Sequence, residues 1–400
     1  MRVTICPGFA RGTVSAPPSK SMAHRALIAA ALSEGESVIS PIASSEDMLA
    51  TVECLKELGA EFQWEGDRVT VRGVSLPRGP KRPLFCRESG STLRFLIPLC
   101  LLSGEEAVLT GSERLLERPL SVYETLCKEK NLSFSSTREA VTLQGKLSSG
   151  IYRIPGNISS QFITGLLFAL PLIEGDSVLE VEGTMESASY VDMTLFVMKK
   201  FGVCVTREGQ TFRISGGQRY RAADYTVEGD YSNGAFLEAF SYLGGMVSVD
   251  NLSGNSLQAD RVYRDLFSRL SQGFITADLS DCPDLAPILF VFASLFHGAR
   301  FVGTARLRIK ESDRGEAMKR ELEKCGVHLQ ISENEILVPK GVLHPPVQPI
   351  DSHNDHRIVM AMSVLLSRLG GTVEGAEAVR KSFPDFFEQI KLLGIEVKIP

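Results

Sequence analysis

Residues 159–181 read SSQFITGLLFALPLIEGDSVLEV. From Phe162 to Ile173 the apolar side chains run nearly all round a helix, not along one stripe. Such a helix belongs inside a protein, with sheets packed over it. Ser159, Ser160 and Gln161 start it, Gly175 follows it, and Ser177–Val181 reads as a short strand. Working outward, a second, amphipathic helix is predicted over Tyr190–Phe201. Beyond it a hairpin of Val203–Arg207 with Phe212–Ser215 is expected.

The same grammar recurs along the chain. Apolar helices begin at Lys20-Ser21, Ser89-Gly90-Ser91, Ser159-Ser160-Gln161, Tyr231-Ser232-Asn233, Asp284 and Asp355-His356-Arg357. Measured at Ser21, Ser91, Ser160, Ser232, Asp284 and Asp355, the intervals are 70, 69, 72, 52 and 71 residues, four of which agree closely enough to define a repeat. Amphipathic helices follow at Asp47–Leu58, Leu120–Lys130, Arg261–Leu270, Arg314–Cys325 and Pro384–Leu393, and hairpins at Ala60–Trp64 with Arg68–Arg72 and at Val327–Ile331 with Ile336–Pro339. The fourth unit is expected to lack its second hairpin strand after Phe274–Ala277, which accounts for the interval of 52. The unit is therefore β-α-β-α-β-β. The fold class is α/β (α+β): six such repeats in two domains of three, jointed near 216–227.

Composition agrees with a globular chain. Of 400 residues, 44% are hydrophobic and 23% charged, enough to bury two cores. The 43 Lys and Arg against 48 Asp and Glu leave a net charge of −5, which is no footprint for nucleic acid. The most apolar stretches, Phe162–Ile173 and Ala286–Phe296, fall short of the roughly 18 residues a membrane span needs. The N-terminus carries no secretory pattern, and the eight scattered cysteines form no Cys-x-x-Cys pair. A cytoplasmic protein with reduced, mostly buried thiols is expected.

The helix starts carry the chemistry. A helix N-terminus presents unpaired N–H groups and the positive end of a dipole, so it attracts anions. Ser91, Ser232 and Asp47 are open to a second reading as N-caps. Capping does not explain Lys20, Arg25, Arg94, Arg118, Lys310, Arg314, Arg357 or Lys381, because a cation at a helix start opposes the dipole. So many cations at helix starts of an acidic protein point to a small, multiply anionic ligand. Asp284 at the mouth of one buried helix and His356 at another supply candidate acid–base groups.

With these motifs in place, the chain resembles the 5-enolpyruvylshikimate-3-phosphate synthase family of enolpyruvyl transferases. The resemblance rests on Pro-Ser-Lys-Ser-x-x-x-Arg at 18–25, Ser-Gly-Ser-Thr-x-Arg at 89–94, Glu-Arg-Pro at 117–119 and Ser-Ser-Gln-Phe at 159–162. It continues through Pro-Asp-x-Ala-Pro at 283–287, Lys-Glu-Ser-Asp-Arg at 310–314, Asn-Asp-His-Arg at 354–357 and Lys-Ser-Phe-Pro-Asp-Phe-Phe at 381–387. It implies two domains of an enolpyruvyl transferase-like inverse α/β barrel, closing on substrate. The expected boundaries are 14–225 for the N-terminal domain and 1–13 plus 226–400 for the C-terminal one, with a double-crossover hinge near 13–18 and 222–227.

The resemblance implies transfer of the enolpyruvyl group of phosphoenolpyruvate to the 5-hydroxyl of shikimate 3-phosphate, in the shikimate pathway of aromatic amino-acid biosynthesis. Phosphate is released through a tetrahedral intermediate, with no cofactor and no metal. Lys20, Gly90, Arg118, Gln161, Arg314, Arg357 and Lys381 are the implied phosphoenolpyruvate residues. Lys20, Ser21, Arg25, Ser159, Ser160, Gln161, Ser187, Asp284 and Lys310 are the implied shikimate 3-phosphate residues, with Tyr190 beside them. The acid–base candidates are Asp284, Glu311, Lys310, His356 and Lys20. Arg94 is expected to shape the Gly90 loop. Glu88 and Phe95 stand where many members have Asn and Pro. The family is the target of glyphosate, which competes at the phosphoenolpyruvate site, and Gly90 retains the space that inhibitor needs. A monomer with no nucleic-acid or membrane partner is expected. The competing readings are a UDP-N-acetylglucosamine enolpyruvyl transferase and a non-catalytic anion binder. Against the first, the Ser-Gly-Ser-Thr loop has no cysteine; against the second, a binder needs no Asp284, Glu311 and His356.

Overall fold

The structure is a computed structural model that describes residues 1–399. Pro18–Val227 forms one compact unit, and Met1–Pro17 with Glu228–Pro400 forms another. Each has its own continuous apolar core.

In the N-terminal unit three helices, Lys20–Ala31, Gly90–Cys100 and Ser160–Ala169, fill the core. They are buried nearly all round, as their composition requires. Two of them meet closely at Gly165, where a Cβ would lie 2.6 Å from the Arg94 carbonyl and 2.5 Å from Tyr123 Oη, so only glycine fits. Strands cover this core. Gly150–Pro155 runs parallel to Ser177–Glu182, which pairs antiparallel with Thr211–Ile214, itself paired with Thr206–Glu208. Ser177, Leu179 and Val181 are buried and their neighbours less so, as expected for a sheet with one face on a core. The other two sheets repeat this order. In the first of them the parallel neighbours of Ser33–Ser40 are Tyr220–Arg221 and Tyr225–Thr226, so the end of the unit completes the sheet of its start.

The C-terminal unit buries Tyr231–Tyr242, Ala286–Leu295 and His356–Leu369. One sheet follows the pattern: Ile275–Asp278 parallel to Ala299–Val302, then Glu335–Val338 and Gln330–Ile331 antiparallel. In the sixth repeat, Gly371–Glu374 lies between Ile350–Asp351 and Arg2–Ile5, and Arg2–Ile5 pairs in turn with Val397–Lys398. The chain's first strand therefore supplies the returning strand of its last repeat. Arg11–Ser15 pairs parallel with Met246–Asp250 alone. Because Val14 and Ser15 belong to that ladder, and Thr226 pairs with Ser40, the units divide after Pro17 and after Val227.

The fourth repeat corrects one expectation. The strand after its outer helix, Ile275–Asp278, is the leading parallel strand of the fifth repeat and not a hairpin arm. The fourth repeat has lost the whole hairpin, and this shortens the interval. Among the described residues no helix is long and apolar enough to cross a membrane. All eight cysteines are free thiols, six of them buried.

Candidate functional site

In the N-terminal unit, Ser19 caps the first buried helix by accepting from the Met22 N–H, and Lys20 follows it immediately. Lys20 Nζ donates to Asp47 Oδ2 at 2.7 Å, and both side chains are largely buried. Asp47 is therefore the counterion of Lys20 and not a cap; Ser45 caps its helix. Arg25 uses three of its five N–H groups within the protein: Nε donates to Thr194 Oγ1, Nη1 to the Ser21 carbonyl and Nη2 to the Tyr190 carbonyl, at 2.9, 2.7 and 2.9 Å. Its burial lowers the guanidinium to about 10.

Ser89 caps the second buried helix, which opens at Gly90. A Cβ on Gly90 would lie 2.6 Å from Arg118 Nη1 and 2.8 Å from its Cζ. This glycine is required for the close approach of Arg118, not for an unusual φ. Arg94 Nη1 donates to Gln161 Oε1 at 2.8 Å and Nη2 to the Pro119 carbonyl at 3.2 Å. Gln161 Nε2 in turn donates to Ser91 Oγ at 2.9 Å. Arg94 thus joins the second and third helix starts to the segment carrying Arg118. Ser91 is a member of that chain and not a cap. Ser159 caps the third helix, with Ser160 buried beside it. Ser187 enters the Ala188–Lys200 helix with φ 56°, a left-handed conformation that a non-glycine residue seldom takes. Phe95 lies inside its helix and packs edge-on against His24 and Phe168, so it builds core.

In the C-terminal unit the charged groups form one network. Asp284 accepts from Arg314 Nη1 at 2.7 Å, Arg357 Nη2 at 3.0 Å and Lys310 Nζ at 3.3 Å. Burial pushes its carboxyl up, but Arg357, Lys310 and Arg314 together hold it well below the usual range. Arg314 also donates to Glu311 Oε2 at 2.8 Å and, through Nε, to Asp355 Oδ2 at 2.8 Å. Asp355 caps the His356–Leu369 helix by accepting from the Arg357 N–H. Burial lowers Lys310, with Asp284 opposing. The cap puts buried His356 and Arg357 at the helix mouth, with His356 Nδ1 3.8 Å from Asp355 Oδ1. Lys381 Nζ donates to the Asn354 carbonyl. The turn that presents this carbonyl is strained, His353 and Asn354 having φ of 48° and 53°.

Arg357 is only 4% exposed, yet its Nε and Nη1 have no partner among the described residues. Buried guanidinium nitrogens in that state are the signature of a site built for an anion.

Asp284, Lys310, Glu311, Arg314 and Arg357 were all expected from sequence and meet in one network. Lys381 joins through the Asn354 turn. Lys20, Gly90 and Gln161 lie at the starts of the three buried helices of their unit, Arg118 lies against Gly90 ahead of the Ser121–Glu129 helix, and Arg25 joins its helix to Ala188–Lys200 with two guanidinium N–H groups to spare. Sequence reasoning missed Asp260, in the short turn before the fourth outer helix. It is 2% exposed, accepts from Ser232 Oγ and leaves Oδ1 without a partner among the described residues. Burial first and the charge of Asp284 second push it up to about 7, against Arg357 and the Ser232 hydroxyl. No local pattern marks such a residue, since its partners come from other helices. Ser232 is thereby a donor to Asp260; Asp230 caps its helix.

Buried-helix repeats with cationic side chains at the helix mouths define a fold of the enolpyruvyl-transferase class. The chain matches the family model described as EPSP synthase (3-phosphoshikimate 1-carboxyvinyltransferase) over residues 7–390, and it belongs to that family. The 3-phosphoshikimate 1-carboxyvinyltransferase of Clostridium kluyveri is 41% identical, covering 99% of this chain and 98% of that protein. Its namesake in Clostridium acetobutylicum is 39% identical with the same coverage. In fold the chain is similar to EPSP synthase from Acinetobacter baumannii, with a TM-score of 0.79 at 24% identity and full coverage of both chains.

Proposed function

We propose that the chain transfers the enolpyruvyl group of phosphoenolpyruvate to the 5-hydroxyl of shikimate 3-phosphate, releasing inorganic phosphate. The observation that carries this reading is Arg357, which is buried, fixed to ionised Asp284 through one nitrogen and left with two donors for an anion. Membership of the EPSP synthase family supports it, and so do relatives of about 40% identity over nearly their whole length. Those relatives favour the shikimate reading over the UDP-N-acetylglucosamine one.

The reaction needs the 5-oxygen to add to C2 of phosphoenolpyruvate while C3 gains a proton. The tetrahedral adduct then loses a C3 proton and phosphate, restoring the enol ether. Asp284, held ionised, is a hydrogen-bond acceptor that orients the 5-hydroxyl. The Arg314 and Arg357 guanidinium groups make it a weak base, so the proton's destination is a group better able to keep it. Lys310, 3.3 Å away and lowered by burial, fits that role once it has given up its own ammonium proton and stands as a neutral amine. Glu311, fixed by Arg314, and buried His356 serve the pyruvyl carbon. Lys20, Gly90, Arg118, Gln161, Arg314, Arg357 and Lys381 hold phosphoenolpyruvate. Ser21, Arg25, Ser159, Ser160 and Ser187, with Lys20, Gln161, Asp284 and Lys310, hold shikimate 3-phosphate. Both ligands are polyanions, which the cationic helix starts favour. The chain acts as a monomer in the cytoplasm.

Phosphate release from phosphoenolpyruvate, measured with shikimate 3-phosphate or with UDP-N-acetylglucosamine, tests this reading. Release with the first acceptor alone is expected. Release with the nucleotide sugar alone, or with neither, would overturn it.

A further inference from the structure

Within the N-terminal core lies a chain of polar contacts that the reaction as described leaves unused. Thr51 Oγ1 is 2.8 Å from His24 Nδ1 and 2.7 Å from Thr92 Oγ1. Thr92 Oγ1 donates to Ser89 Oγ at 2.7 Å. Thr51 and Thr92 are 0% exposed, and His24 and Ser89 are 1% exposed. Thr51 also reaches the carbonyl of Asp47, the residue that pairs with Lys20, at 3.1 Å. At the other end Ser89 is the cap of the helix whose first residue, Gly90, lies against Arg118.

A threonine bonding back to its own helix and a serine cap are common by themselves. The links from Thr51 to Thr92 and His24 are different, because they tie three helix starts together where valines would fill the same space. With Thr92 donating to Ser89, the single Thr51 hydroxyl proton is shared between Thr92 Oγ1 and the Asp47 carbonyl, and the remaining contact needs the proton on His24 Nδ1. The chain then runs one way, His24 to Thr51 to Thr92 to Ser89, and leaves His24 Nε2 as a buried acceptor without a partner among the described residues. Burial, Lys20 and Arg25 keep the imidazole neutral, so it needs no counterion. A buried network of this sort is retained at a cost in stability unless it fixes a geometry.

We infer that Thr51, Thr92 and His24 are positioning residues for the enolpyruvyl donor, holding the Gly90–Arg118 contact in register. The inference rests on the reaction proposed above. None of the three need touch substrate.

The test is steady-state kinetics of the full chain carrying Thr51→Val, Thr92→Val or Thr51→Ser, with a melting curve for each. For the valine variants the KM for phosphoenolpyruvate rises roughly five- to tenfold, while that for shikimate 3-phosphate stays within about twofold, as expected for losing one hydrogen-bonded link on one side. Thr51→Ser restores the original values. Equal changes in both KM values, no change in either, or loss of folding in both valine variants would each overturn the inference. Wild-type protein without acceptor-dependent phosphate release would overturn the reaction itself and this inference with it. Active wild type with unaltered variants would overturn the inference alone.

Discussion

Arg357 holds Asp284 through one nitrogen, Nη2 to Oδ2 at 3.0 Å, while its Nε and Nη1 lie buried without a partner among the described residues. Asp284 does not depend on this contact alone, since Arg314 and Lys310 also reach it. The two residues are therefore asymmetric: the carboxylate is satisfied and the guanidinium is not.

Replacing Arg357 should cost activity far more than stability. For Arg357→Lys, whose ammonium cannot fork between an anion and Asp284, kcat/KM for phosphoenolpyruvate should fall by about a hundredfold or more. The urea midpoint should stay near that of the parent. A fall in the midpoint matching the loss of activity would show that Arg357 serves the fold instead.

Gly90→Ala puts a methyl group where Arg118 now lies, 2.6 Å from its Nη1. The guanidinium must move, so the KM for phosphoenolpyruvate should rise while that for shikimate 3-phosphate changes little. Separate titrations of the two substrates check this. Unchanged KM values would mean that Arg118 does not bind the donor from this position.

Asp355 combines a helix cap with the buried partner of Arg314. Asp355→Ala should destabilise the chain by about 3 kcal/mol, because one partner of a buried pair is removed together with a cap. Equilibrium urea unfolding measures it, and a cost below about 1 kcal/mol, the size of a cap alone, would show the pair to be dispensable.

Asp260, pushed up to about 7, should leave a signature in the pH dependence of stability. Its folded pKa lies above its unfolded value of 3.8, so the folded state binds more protons between the two. Stability from this group is full below the unfolded value and is lost as pH rises toward 7. Asp260→Asn should therefore gain on the parent across that window, by at most about 1.4 kcal/mol per pH unit, and gain nothing further above it. A pH-independent difference between the two proteins would contradict the shift.

Much of this was legible in the sequence because the repeat announces itself at the helix starts. Ser21, Ser91, Ser160, Ser232, Asp284 and Asp355 recur at near-constant spacing, and helices apolar all round can only be interior. The family's motifs then marked Asp284, Lys310, Arg314 and Arg357. What stayed hidden depends on distant pairing. That Asp47 belongs to Lys20, Ser91 to Gln161 and Ser232 to Asp260 is decided by how helices pack, not by any local spacing. The same holds for the strand Arg2–Ile5, whose partner Gly371–Glu374 is nearly the length of the chain away. The missing hairpin of the fourth repeat was misplaced because a short apolar run after a helix reads alike as a hairpin arm or a leading strand.

The most direct measurement is phosphorus NMR of phosphoenolpyruvate and shikimate 3-phosphate mixed with the purified chain. Inorganic phosphate should appear together with one new phosphomonoester, the enolpyruvyl ether of shikimate 3-phosphate, in equal amounts, and neither should form without the acceptor. Phosphate appearing without the new ester, or no change in either substrate, would contradict the enolpyruvyl-transfer function.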